Sequence, residues 1–143
     1  MLIYNIKEVV HNINHLDIFN LLKQLTDSPE LDTDTVNKIV SELPPNHNIF
    51  VYLNGNKKVI GMITLIIEQK FIHRGKCVGH IEDFVVDEMY RGNGIGKKML
   101  DYCKEYAKRN NCYKIILDCD DNMRVFYEKS GLTHKTNGMA LYF

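Results

Sequence analysis

The stretch Arg91-Gly92-Asn93-Gly94-Ile95-Gly96-Lys97-Lys98 decides how the chain is read. Three glycines at alternate positions let the backbone turn tightly and aim several N–H groups at one point. Upstream, Val78 to Val86 has the apolar character of a strand. Downstream, Ile95, Met99, Tyr102, Cys103 and Tyr106 form one apolar stripe of a helix from Gly94 to Arg109. A strand, a glycine turn and a helix in that order set the positive end of the helix dipole behind the turned N–H groups. Arg91, Lys97 and Lys98 add cations, and the combination suits a pyrophosphate. A Walker loop needs Ser or Thr after its lysine, whereas Lys98 follows Lys97. A Rossmann fingerprint needs Gly-x-Gly-x-x-Gly, whereas the spacing here is Gly-x-Gly-x-Gly. A turn that needs glycines for its own sake is the third reading, weakened by the agreement of strand, loop, helix and cations.

Working outward, Tyr113 to Leu117 is apolar in all but Lys114, which predicts a strand buried on both faces. Asn122 to Lys129 predicts a short helix, with Asn122 as candidate N-cap and Gly131 just past its end. Leu132 to Phe143 reads as short closing strands around Gly138. Before the loop the chain predicts a meander: Asn48 to Leu53, an Asn54-Gly55-Asn56 turn, a long strand from Lys58 to about Lys70, and a connection through Gly75. The first third predicts a strand over Met1 to Ile6 and a helix over His15 to Leu25 broken by Thr26-Asp27-Ser28-Pro29. A second helix, marked by Val36, Ile39, Val40 and Leu43, closes at Pro44-Pro45. Helices cross between strands, so the class is mixed α/β.

The 143 residues amount to one domain spanning 1–143, with no linker or repeat to divide it. Hydrophobic residues at 45% and charged residues at 25% are an ordinary globular balance, not that of a fibre or a disordered tail. Eighteen basic and eighteen acidic residues cancel, which argues against nucleic acid or an anionic membrane face as the main partner. Cys77, Cys103, Cys112 and Cys119 form no Cys-x-x-Cys pair, and His11 and His15 lack the glutamate of a His-Glu-x-x-His site, so no metal is expected. Cys119 has no base in the sequence to activate it as a nucleophile. The longest apolar stretch, Val59 to Ile67, is far short of the ~18 residues of a membrane span, and no leader pattern precedes it. A cytoplasmic location with reduced thiols is the expectation.

Arg91 to Gly96 matches the (Gln/Arg)-x-x-Gly-x-(Gly/Ala) signature of the GNAT superfamily of acyltransferases, which this chain resembles. Gly79-His80-Ile81-Glu82-Asp83, Cys112 to Cys119 and Asn122 to Gly131 are similar to one branch, the glucosamine-6-phosphate N-acetyltransferases. The close resemblance runs from about Ile66 to Gly131, and the N-terminal third matches only in element order. It implies the GNAT fold, a mixed central sheet with splayed strands flanked by helices. It also implies acetyl-CoA as co-substrate, D-glucosamine 6-phosphate as acceptor, and a place in supplying precursor for UDP-N-acetylglucosamine.

Residue by residue, the resemblance assigns thioester and pantetheine binding to the backbone of Phe84, Val85 and Val86, which follow a strand bulge. It assigns pyrophosphate binding to Arg91, Gly92, Asn93, Gly94, Ile95 and Gly96, and a further cofactor contact to Asn122. Glu82 and Asp83 are matched to sugar hydroxyls; their other reading is a solvated acidic pair. Asp118 is matched to the amine, against the plainer reading of a turn-forming aspartate beside Asp120 and Asp121. Tyr127 is matched to the leaving thiolate, against that of a packing tyrosine, while Phe126 keeps the packing reading. Thr26, Lys70, His73 and Lys114 are matched to substrate binding, though each alone reads as an ordinary surface residue.

The chain departs from the family's Met-x-x-Arg ending: after Met139 the matching place is Tyr142, which brings one hydroxyl and no charge. The apolar end is consistent with a strand packed on a second subunit, and the resemblance implies a homodimer. Two other functions stay open: a GNAT enzyme for another small amine or a peptide N-terminus, and an inactive acetyl-CoA-binding module. Loss of phosphate preference marks the first, and cofactor binding without turnover marks the second.

Overall fold

The computed structural model describes residues 2–143, so Met1, the first residue of the predicted N-terminal strand, lies outside them. Strand β1 covers only Ile3–Asn5, because the Asn5 side chain accepts from Lys7 N at 3.1 Å and opens the short helix α1 (Ile6–Val9). Helix α2 (His15–Leu22) is capped by Asn14, and α3 (Thr33–Glu42) by Asp32, whose carboxylate accepts from Thr35 N at 2.9 Å. Helix α2 stops three residues before the predicted Leu25. Ile18, Phe19 and Leu21 face the core, but Leu25 is exposed and has no core to hold it in the helix.

Strands β2 (His47–Leu53) and β3 (Val59–Gln69) form the predicted hairpin, and Gly55 and Asn56 are the central residues of its turn, which Lys57 N closes by donating to Asn54 O at 3.0 Å. Asn54 Oδ1 accepts from Asn56 N at 2.9 Å and Lys58 N at 3.0 Å, and Lys57 takes the left-handed conformation at φ +60°. A second connection, through His73, Arg74 and Gly75, all left-handed, leads to β4 (Cys77–Val86). Then come α4 (Ile95–Arg109), β5 (Cys112–Ile116) and α5 (Asp121–Lys129).

The sheet order is β1-β2-β3-β4-β5, antiparallel through β4 and parallel between β4 and β5, with α4 as the crossover. One face buries Val51, Leu53, Met62 and Val85 against α1, α2 and α3. The other buries Phe50, Ile63, Leu65 and Ile81 against Met99, Leu100 and Cys103 of α4. Gly79 sits under α4, where a Cβ would lie 3.1 Å from Leu65 and 3.2 Å from Ile115.

Two expectations are corrected. β5 is an edge strand, not one buried on both faces: Lys114 and Ile116 are exposed and only β4 pairs with it. Leu132 to Phe143 forms no strand and joins neither edge of the sheet among the described residues, and Leu141, Tyr142 and Phe143 are exposed. Among the described residues no helix is long and apolar enough to cross a membrane.

Candidate active site

The sheet opens within β4. The β4–β5 pairing runs from Cys77–Cys112 to His80–Ile116 and stops, while the β3–β4 pairing continues to Gly61–Val86. From Ile81 onward β4 therefore has no neighbour on its β5 side. On its other side the register slips: Met62 faces Val85 and Thr64 faces Glu82, so β4 carries one extra residue. Asp83 sits in that bulge at φ +47°, an uncommon conformation for a side-chain-bearing residue. The splay and the bulge together free a stretch of strand backbone at the mouth of a cleft of about 930 Å³.

One wall of the cleft is Ile81 to Val86; the opposite wall is Leu117 to Asp120 with Met123, Phe126 and Tyr127. The glycine loop closes one end. Gly92 and Gly94 are left-handed at φ +80° and +75°, which accounts for glycine at both positions. Gly94 is the N-cap of the fifteen-residue helix α4, and no side chain caps it. Gly94 to Lys97 line the cleft, so an uncapped first turn borders it, a setting that accepts phosphate oxygens. Gly96 allows close packing: a Cβ there would lie 3.3 Å from Phe126 and 3.7 Å from Phe84. Arg91 Nε donates to Val86 O at 2.9 Å, tying the loop to the strand end, whereas Lys97 pairs with Asp101.

Tyr127 is buried, its ring edge-on to Phe126 at 5.1 Å, and its hydroxyl makes no hydrogen bond among the described residues. Burial, and then the neighbouring Cys119, push the phenol up to about 12. The hydroxyl therefore stays protonated through the neutral range and can only donate or accept a hydrogen bond there. Asp118 is exposed and makes no ion pair among the described residues. Cys119 is exposed; desolvation, then Asp120, Asp121 and Asp118, hold its thiol above the ordinary value, so it is a poor nucleophile at neutral pH.

The cleft brings together Glu82, Asp83, Phe84, Val85, Val86, Arg91, Gly92, Gly94, Ile95, Gly96, Asp118 and Tyr127. Asn93, Asn122, Thr26, Lys70, His73 and Lys114 are outside its lining. Asn93 instead donates to Tyr90 O at 3.2 Å and so shapes the turn. Asn122 lies within the first turn of α5, and the capping position belongs to Asp120, because the helix starts one residue earlier than predicted. Lys70 is bound to Glu68, which also accepts from His80 at 2.6 Å. His73 stacks on Tyr113 at 4.0 Å, and Lys114 lies 5.5 Å over the same ring.

Gln24 and Leu25 line the cleft without being foreseen. Gln24 Oε1 accepts from Glu88 N at 2.9 Å across 64 residues of chain, a contact with no local sequence signal. Among the described residues no group of three His, Cys, Asp or Glu side chains is arranged to hold a metal ion.

A splayed, bulged strand thus faces the glycine-led start of α4 across one cleft. Residues 15–132 match the Acetyltransferase (GNAT) family, and the chain belongs to that family. Among named relatives, it is 42% identical over 86 residues to glucosamine 6-phosphate N-acetyltransferase of Arabidopsis thaliana, a match covering 60% of this chain and 58% of that protein. It is 35% identical over 127 residues to glucosamine 6-phosphate N-acetyltransferase 1 of Oryza sativa, covering 86% of this chain and 77% of that one. The crystal structure of the Arabidopsis enzyme superposes with a TM-score of 0.86 at 32% identity, over 99% of this chain and 97% of that chain.

Proposed function

We propose that the chain, as one domain over 1–143, transfers the acetyl group of acetyl-CoA to the amine of D-glucosamine 6-phosphate. The observation that carries the reading is the placement of Asp118 and Tyr127 across one cleft from the bulged backbone of β4, in a chain similar over most of its length to enzymes of that name. The transfer is direct, within a ternary complex. The neutral amine attacks the thioester carbon, the N–C bond forms, the C–S bond breaks, and the proton lost by nitrogen ends on sulfur or water.

Each wall has a role in that reaction. The freed N–H groups of Phe84, Val85 and Val86 bind pantetheine and the carbonyl oxygen as it gains negative charge. Arg91, Gly92, Asn93, Gly94, Ile95 and Gly96 hold the pyrophosphate, with Asn122 as a further contact. Asp118 orients the amine and favours its approach, and Glu82 and Asp83 take sugar hydroxyls. Tyr127 acts on the leaving sulfur by hydrogen bonding. A phenol near 12 is a weaker acid than a thiol, whose reference value is about 8.5, so stabilisation without complete transfer is the economical role.

Thr26, Lys70, His73 and Lys114 serve the substrate from outside the cleft lining. That placement is compatible with a homodimer in which a second subunit completes the phosphate end, since the apolar tail and the β5 edge are both exposed. The protein works in the cytoplasm, on the route that supplies UDP-N-acetylglucosamine.

The test measures acetylation of glucosamine 6-phosphate, glucosamine and unrelated amines by mass, in wild type and Tyr127→Phe. Strong preference for the 6-phosphate supports the reading, whereas equal or absent activity on both sugars removes the sugar-phosphate assignment. Tyr127→Phe is expected to lower turnover roughly 10²-fold, with acetyl-CoA affinity within about twofold of wild type. Unchanged turnover where chemistry limits the rate refutes the role of the hydroxyl.

A further inference from the structure

Gly138 is a glycine for a different reason from those of the loop. Gly92 and Gly94 are left-handed and have open space where a side chain would go. Gly138 is not among the left-handed residues, so its backbone does not call for glycine. Its missing side chain instead leaves room for one group. A Cβ at Gly138 would lie 3.2 Å from Asp118 Oδ1, 3.6 Å from Cγ and 3.9 Å from Oδ2, and these are the three nearest atoms. The C-terminal segment, without any ladder to place it, passes directly against the carboxylate assigned to the substrate amine.

We infer that Gly138 is a positioning residue for Asp118. The inference rests on the proposed role of Asp118. A methyl group at 3.2 Å is closer than carbon and oxygen pack comfortably, so one of them must move by a few tenths of an ångström. Asp118 is exposed and makes no ion pair among the described residues, so its side chain is free to turn away. Turning it misaligns the amine while leaving the glycine loop and Tyr127 untouched. The effect falls on the acceptor, not on acetyl-CoA.

The test is a double-mutant cycle with Gly138→Ala and Asp118→Asn, using Asn137→Ala as a neighbouring control. Gly138→Ala is expected to lower kcat/KM for the acceptor about tenfold, with acetyl-CoA affinity and Tm unchanged and the control near wild type. In the Asp118→Asn background the same change is expected to cost less than about twofold, because the group it displaces no longer matters. An undiminished tenfold loss in that background, or a Gly138→Ala protein equal to wild type, overturns the inference. The proposed substrate stands or falls separately, on wild-type turnover of glucosamine 6-phosphate; if another amine is the acceptor, the cycle runs on that amine. The contact itself is read without turnover from the Asp118 carboxyl ¹³C resonance, which must shift in Gly138→Ala. An unmoved resonance refutes the apposition.

Discussion

The two halves of β4 are built from one strand and do opposite work. From Cys77 to Ile81 it is paired to β3, with β5 alongside as far as His80, and Cys77, Val78, Gly79 and Ile81 are buried. From Glu82 to Val86 it keeps only β3, carries a bulge, and turns Glu82 and Asp83 to solvent. A fully paired strand has no main-chain groups to offer a ligand, because each is already bonded. Removing one neighbour supplies such groups, and the paired half supplies the rigidity that keeps them in place. The cleft is thus made by ending a ladder early, not by adding a loop.

The comparison breaks most visibly in the paired half. Leu65 is fully buried, faces Ile81 in the register and touches the space above Gly79. Leu65→Ala is expected to lower stability by about 2–5 kcal/mol, the range for a leucine cavity that neighbours cannot fill. Chemical denaturation measures it. Because the mutation lies beneath the open half and not in it, acetyl-CoA affinity well below the melting transition should change little. A loss of affinity that matches the loss of stability would show that the two halves are not separable.

Much of this architecture is legible in the sequence because its causes are local. The Gly92 and Gly94 positions require left-handed backbone, and Ile95, Met99 and Cys103 mark the buried stripe of α4 without reference to the rest of the chain. The bulge at Glu82–Asp83 was accessible only through the resemblance, since two adjacent carboxylates do not by themselves announce an extra residue. What misled were features decided elsewhere. Tyr113 to Leu117 looks like an interior strand, but interior or edge depends on whether Leu132 to Phe143 pairs with it, and it does not. The hairpin and its turn at Asn54-Gly55-Asn56 are legible, but the Asn54 side chain that braces the turn and the left-handed Lys57 after it are not. Gln24 enters the cleft through a bond to Glu88, 64 residues away, and no pattern of spacing encodes that.

The open half carries a cost of its own that can be measured. Asp83 is held at φ +47°, where a residue with a Cβ is strained and glycine is not. Asp83→Gly is expected to raise stability by at most about 1 kcal/mol, the scale of relieving one such residue less the added freedom of glycine in the unfolded chain. If Asp83 binds a sugar hydroxyl, the same variant raises KM for the acceptor while leaving acetyl-CoA affinity alone. Stability gained with acceptor binding lost identifies strain kept for function. Stability lost would mean that the bulge depends on the aspartate side chain.

The smallest effect is on thiol reactivity, and it separates the two halves by their cysteines. Cys103 is fully buried under the paired half, and burial pushes its thiol up to about 12. Cys119 is exposed in the cleft wall, yet desolvation and the three aspartates Asp118, Asp120 and Asp121 also hold it above the ordinary thiol value. Alkylation requires the thiolate, so a raised value means fewer thiolates at neutral pH and a rate that keeps rising beyond the usual thiol midpoint. Iodoacetamide followed by peptide mass mapping at increasing pH should therefore label Cys119 slowly at neutral pH, faster with each step upward, and Cys103 only on unfolding. Asp120→Asn with Asp121→Asn removes two of the negative charges, lowers the Cys119 value and speeds its labelling at neutral pH, modestly because desolvation is the larger cause. Fast labelling of Cys119 at neutral pH in the wild type would place a thiolate beside Tyr127, contradicting the electrostatics of the wall and the reading of direct transfer without an acyl-enzyme.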